Sequence, residues 1–157
     1  MRALLQRVSR AEVRVESRSI GSIGAGLLVL LGVGQDDDAA TADALARRIS
    51  ELRIFADADG RTNLSILDIG GQALVVSQFT LYADTRRGRR PGFTRAAPPD
   101  VAIPLYQRFC AALEGTGVTV ERGRFGAEME VELVNDGPFT IWLDTAEGSP
   151  PGGSGDA

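Results

Sequence analysis

Apolar and polar residues alternate at the start of the chain. Leu4, Val8 and the run Val13-Arg14-Val15 suit a β-strand, with a turn around Glu16 to Ser19. Gly26 to Val33 is instead continuously apolar and bounded by glycines, the pattern of a strand buried on both faces. The period changes from about Asp38 to Phe55, where Ala42, Leu45, Ala46, Ile49 and Leu52 recur at helical spacing. Asp57-Ala58-Asp59-Gly60 reads as a turn, and Gln72 to Phe79 as another strand. Pro98-Pro99-Asp100 introduces a second helical pattern, Val101, Leu105, Phe109 and Leu113, ending near Gly115-Thr116-Gly117. Pro104 is expected in its first turn, where amides lack helical partners. Val118 to Val120, Met129 to Val134 and Phe139 to Leu143 are predicted as short strands. These elements predict an α+β fold, a mostly antiparallel sheet or partly closed β-barrel with two packed helices. One domain over 1–145 is expected, followed by a flexible tail over 146–157.

Composition narrows the chemistry. The chain of 157 residues holds no histidine, and all 17 basic residues are arginine, so a His-based triad, a Schiff-base lysine and a P-loop lysine are excluded. Any reaction must rely on hydroxyls, amides, carboxylates, arginines and the backbone. Cys110 stands alone, which rules out an internal disulfide, fits a reducing cytoplasm and cannot make an ordinary zinc site. Asp36-Asp37-Asp38 reads as a helix-start signal before a cation site, and no metal or cofactor is expected. The longest apolar run is too short for a bilayer and the first residues carry Arg2 and Arg7, so a cytoplasmic protein without a membrane partner is expected.

The net charge of −4 argues against broad, non-specific nucleic-acid binding, but it is unevenly spread. From Asp84 to Arg95 five arginines (Arg86, Arg87, Arg89, Arg90, Arg95) face one acid, a local +4, while the remainder holds 12 arginines against 20 acids. That stretch is either a solvated loop or a phosphate-contacting one, and composition does not choose.

Two segments carry candidate chemistry. Ser77-Gln78-Phe79-Thr80-Leu81-Tyr82-Ala83 sits where a buried strand ends, either as its polar exit or as a site. Asn135-Asp136-Gly137-Pro138-Phe139-Thr140 lies between two predicted strands, either as their turn or as a place where bare backbone carbonyls are presented at close approach.

In these two segments the chain resembles the D-aminoacyl-tRNA deacylases. Supporting matches are Gln6-Arg7-Val8, Gly26 to Val33, Arg53-Ile54-Phe55, Arg90-Pro91-Gly92-Phe93 and Gly123 to Met129, so the resemblance spans residues 1 to 145. It implies an editing hydrolase that cleaves the ester of D-aminoacyl-tRNA, and of glycyl-tRNA, as a homodimer with sites at the interface. Ser77, Gln78, Phe79 and Thr80 would form the catalytic segment, with backbone amides around Gln78-Phe79-Thr80 as oxyanion donors and the tRNA 2′-hydroxyl assisting water. Gly137 and Pro138, joined by a cis bond in that family, would reject L-amino acids from the partner's pocket, with Arg7 bracing them. Phe125 and Met129 fall where the family holds the terminal adenine, and Arg86, Arg87, Arg89 and Arg90 would contact tRNA. Departures from the family pattern are Tyr82, Gly92 and Phe139, which bear on the pocket rim or the grip on tRNA. Alternatives are a relative with a trans Gly-Pro bond that removes L-alanine, and a non-catalytic RNA-binding dimer.

Overall fold

The computed structural model describes residues 1–147; the expected tail lies outside them except for Ala146 and Glu147. The chain runs β1 (Arg2–Val15), β2 (Arg18–Ile23), β3 (Gly26–Gly32), α1 (Ala39–Glu51), β4 (Phe55–Ala56), β5 (Thr62–Leu64), β6 (Gln72–Ser77), a 3-10 turn (Phe79–Tyr82), α2 (Pro99–Gly115), β7 (Thr119–Arg122) and β8 (Glu130–Asp144). The main sheet has the order β2-β1-β3-β6-β7, with β8 paired to β1. β1 is the long spine: β3 and β2 pair antiparallel along it in succession, and β8 pairs antiparallel with residues from Arg2 to Arg14. β3–β6 and β6–β7 are parallel pairs. Each needs a crossover, which α1 and α2 supply. The result is the expected α+β, partly closed barrel with two helices.

The glycine-bounded run that forms β3 buries both faces. Leu27, Val29 and Leu31 point to the helices, joined there by Ala73 and Val75 of β6 and by Phe109, Cys110 and Leu113 of α2. Leu28 faces the other way and packs with Val8, Val13, Leu74 and Val76. α1 begins on Asp38, whose carboxylate accepts from the Thr41 amide at 2.8 Å. Thus one of the three adjacent acids is a helix cap, and a second, Asp37, accepts from the Met1 ammonium and from the Gly34 amide.

Four expectations need correction. α1 stops at Glu51 rather than near Phe55, because Leu52 turns extended and Phe55 enters a small β4–β5 hairpin. β6 ends at Ser77, and Phe79 belongs to the 3-10 turn. Pro104 lies in the second turn of α2, which starts at Pro99; it is exposed there, so the unpaired Asp100 carbonyl reaches solvent. Most consequential, the two strands expected around Gly137-Pro138 are one strand, β8.

Truncation of the helix–sheet contact gives a direct check on this core. Phe109→Ala, at a side chain with no exposed surface, is expected to cost about 3–5 kcal/mol in urea unfolding. A loss under about 1 kcal/mol would show that α2 is not packed as described.

Candidate active site

The bulge in β8 is built by β1. Gln6 pairs with Thr140 and Val8 with Asn135, so the single residue Arg7 stands opposite four residues, 136–139. Arg7 fills the gap with its guanidinium. Nε donates to the Asp136 carbonyl at 3.0 Å, Nη2 to the Gly137 carbonyl at 3.0 Å, and Nη1 to the Ile54 carbonyl at 2.7 Å. The same group lies 3.1 Å from the Asp136 carboxylate and 4.5 Å from the centroid of the Phe139 ring. Asn135 closes the neck, its amide donating to the carbonyls of Arg7 (2.9 Å) and Phe139 (3.2 Å). Gly137 and Pro138, joined by a cis peptide bond, are therefore exposed yet held. A turn between two strands would be free to vary; here three carbonyls of the bulge, those of Asp136, Gly137 and Phe139, each accept a hydrogen bond.

The Ser77–Ala83 segment follows β6. The Gln78 amide donates to the Leu31 carbonyl at 2.8 Å, and the 3-10 turn then engages the amides of Leu81 and Ala83 with the Gln78 and Thr80 carbonyls. The Gln78 amide is thereby removed from the expected set of oxyanion donors. Those of Phe79 and Thr80 come too early in the turn to have a helical partner. The Gln78 side-chain amide donates to the Thr80 hydroxyl, and such a nitrogen cannot take up a proton.

An apolar cleft of about 390 Å³ opens against this segment, lined by Ser77, Phe79, Phe93, Pro99, Phe125 and Gly126 among others. Three phenyl rings dominate it, and no carboxylate lines it. Phe79 meets Phe93 edge to face at 5.0 Å between centroids. Phe93 and the start of α2 carried no expected role. The match at Arg90 to Phe93 was their only signal, because pairing across the cleft comes from the chain returning after the arginine loop. The cleft brings together Ser77, Phe79 and Phe125. Met129 is elsewhere, its sulfur 3.4 Å from the Arg124 amide beside a second cavity. Gly137 and Pro138 do not line the cleft.

The three departures separate. Tyr82 is buried, its ring under the Arg2 guanidinium at 4.5 Å, and burial raises its hydroxyl pKa, so it is core rather than rim. Phe139 stacks on Arg7, and Gly92 lines the arginine loop. Cys110 is fully buried and desolvation pushes its thiol up to about 11, leaving it inert.

A family model described as D-Tyr-tRNA(Tyr) deacylase matches residues 4–144. The D-aminoacyl-tRNA deacylase of Roseiflexus castenholzii is 62% identical over 146 residues, 93% of each chain. That of Thermomicrobium roseum is 60% identical over 147 residues, covering 94% of this chain and 96% of the relative. Among solved structures, a c-Myc DNA unwinding element binding protein superposes with a TM-score of 0.87 at 38% identity, covering 96% of this chain and all of the other. A probable eukaryotic D-amino acid tRNA deacylase gives 0.81 at 19% identity, covering 90% and 97%, a likeness of fold.

The Arg7 clamp predicts a sharp difference between two cations. Arg7→Lys keeps the charge but cannot span three carbonyls, so it should lose about 2–4 kcal/mol. Hydrogen exchange at Phe139 and Thr140 should quicken by at least about tenfold. Unchanged exchange would mean that the bulge holds itself.

Proposed function

The chain belongs to the D-Tyr-tRNA(Tyr) deacylase family, hydrolases of the aminoacyl-tRNA ester, and we propose that it spares L-esters by backbone exclusion across a homodimer. The observation that carries this is the separation of the two segments. The cleft holds Ser77, Phe79 and Phe125, while the clamped Gly137–Pro138 bulge projects from β8 and lines no part of it. A second copy of the chain supplies what is missing: each bulge enters the partner's cleft. β8 also exposes Val134 and Trp142, at 41% and 43%, and Phe79 at the cleft is 54% exposed, an apolar set suited to burial between copies.

In that arrangement the fixed Gly137 and Pro138 carbonyls meet the position an L side chain would occupy. A D-aminoacyl or glycyl ester escapes the clash, so selection needs no pocket for the side chain itself. The aminoacyl carbonyl lies at the Phe79 and Thr80 amides, which stabilise the developing oxyanion. With no proton acceptor beside Thr80, water attacks, assisted by the ribose 2′-hydroxyl of the tRNA. Phe125 offers its ring to the terminal adenine. No helix of the described residues is long and apolar enough to cross a membrane, and the proposed place of action is the cytoplasm.

A non-catalytic nucleic-acid-binding dimer is the rival reading, favoured by the name of the DNA unwinding element binding protein that the fold resembles. Hydrolysis of tRNA charged with D-tyrosine, beside the same tRNA charged with L-tyrosine, separates the two. With EDTA present, only the D-ester is expected to disappear. Loss of both esters sinks the exclusion mechanism, and loss of neither leaves the binding module.

Two further outcomes test the selector. A Cβ built on Gly137 meets nothing closer than the Asn135 side-chain oxygen at 3.8 Å, so Gly137→Ala should fold normally. Its D-over-L ratio of kcat/KM should nevertheless change at least about tenfold, or ~1.4 kcal/mol. Light scattering should give twice the chain mass; a monomer at assay concentration contradicts the shared site.

A further inference from the structure

The five arginines between residues 84 and 95 are equivalent in sequence and unequal in the structure. The segment closes on itself through two backbone bonds, Asp84 amide to Gly92 carbonyl at 2.7 Å and Gly92 amide to Asp84 carbonyl at 2.9 Å. Gly88 permits the reversal with φ of +73°. Inside this hairpin-like loop, Asp84 binds Arg86 through both carboxylate oxygens, Nε at 2.8 Å and Nη2 at 2.6 Å, and also accepts from the Arg86 backbone amide at 3.1 Å. These bonds hold the Asp84 carboxyl well below the usual carboxylate range, so its charge is spent on Arg86 near neutral pH.

Arg87 and Arg90 have no such partner among the described residues. Together with Arg86, Asp84, Gly92 and Thr94 they line a cavity of about 510 Å³. Arg89 lies outside that lining, and Arg95 lines a different cavity with Asp36 and Asp37. Position matters as much as charge. Gly92 and Thr94 line the arginine cavity, whereas Phe93 between them lines the apolar cleft. Phe93 opens a turn in which its carbonyl accepts from the Ala96 amide at 3.0 Å, so the chain bends between the two cavities. One backbone thickness therefore separates a chamber suited to anions from a chamber suited to an aromatic base.

We infer that this cavity is a discrete phosphodiester subsite for the single-stranded end of an RNA, with Arg87 and Arg90 as its ligands. Each presents an uncommitted guanidinium fork, the geometry that binds phosphate oxygens in pairs. Arg86, tied to Asp84, is a positioning residue that shapes the wall. The inference rests on the reading that the substrate is aminoacyl-tRNA, and it divides a loop that charge alone would treat as uniform.

The test is the salt dependence of binding uncharged tRNA, read by fluorescence anisotropy, for the unaltered protein and for Arg87→Gln, Arg90→Gln and Arg89→Gln. Releasing one single-strand phosphate contact should make the slope of log K against log salt shallower by about 0.7. That change is expected for Arg87→Gln and for Arg90→Gln, and less than half of it for Arg89→Gln. The difference should vanish on tRNA lacking its 3′ single-stranded nucleotides. Equal losses at all three positions would mean a diffuse basic patch and overturn the subsite, as would no change at any of them. Ester hydrolysis by the unaltered protein is scored separately. Activity with unchanged slopes removes the subsite and keeps the enzyme; altered slopes without activity keep the subsite and remove the enzyme reading.

Discussion

A single guanidinium governs the geometry of this protein's exposed edge. β8 carries four residues where β1 carries one, and an excess of that size in an edge strand would ordinarily be free to move. Arg7 converts it into a rigid projection by donating to three carbonyls, two in the bulge and one at Ile54. Its side chain is only 11% exposed, although the two bulge carbonyls it holds belong to exposed residues, and charge-assisted bonds of this kind are stronger than neutral ones. The Ile54 bond reaches past the sheet to the chain leaving α1, so the bulge is referenced to the body of the fold and not merely to its neighbouring strand.

The cleft obeys the opposite logic. Its walls come from the end of β6, the return of the arginine loop, the start of α2 and the segment after β7, and its lining is dominated by apolar rings. Nothing in it can act as a strong base. A weak set of groups suffices for a labile ester only if water and the leaving ribose are well oriented. Orientation is what a cleft between rigid strands would provide together, in the proposed dimer, with a projection from a second copy.

Much of this was legible in the sequence where a pattern is local. The glycine-bounded apolar run announced β3, helical spacing announced α1 and α2, and the two short segments marked the cleft and the bulge. What failed was non-local. Asn135 to Thr140 reads as a turn because glycine and proline usually interrupt strands; only the facing Arg7 lets the strand continue through them. Leu52 fits the helical period, yet its extended backbone ends α1, since the small β4–β5 hairpin claims Phe55. Four arginines in five residues looked alike because the partner that singles out Arg86, the carboxylate of Asp84, acts through folded geometry. Met129 matched a pattern shared with Phe125, but the turn at Phe125-Gly126, between β7 and β8, sends the two side chains to different cavities.

The absence of lysine has a consequence beyond charge. An aminoacyl ester is an acylating agent, and a neutral amine held beside it would compete with water for the acyl group. This chain offers it no side-chain amine anywhere. Its one thiol is sealed in the core and protonated, and the Met1 ammonium is engaged by Asp37 and Thr145. Guanidinium groups supply all the positive side-chain charge without adding a nucleophile. The protein thus offers an activated acyl group neither a side-chain amine nor an exposed thiol to compete with water, and the catalyst is spared those two routes to becoming the product.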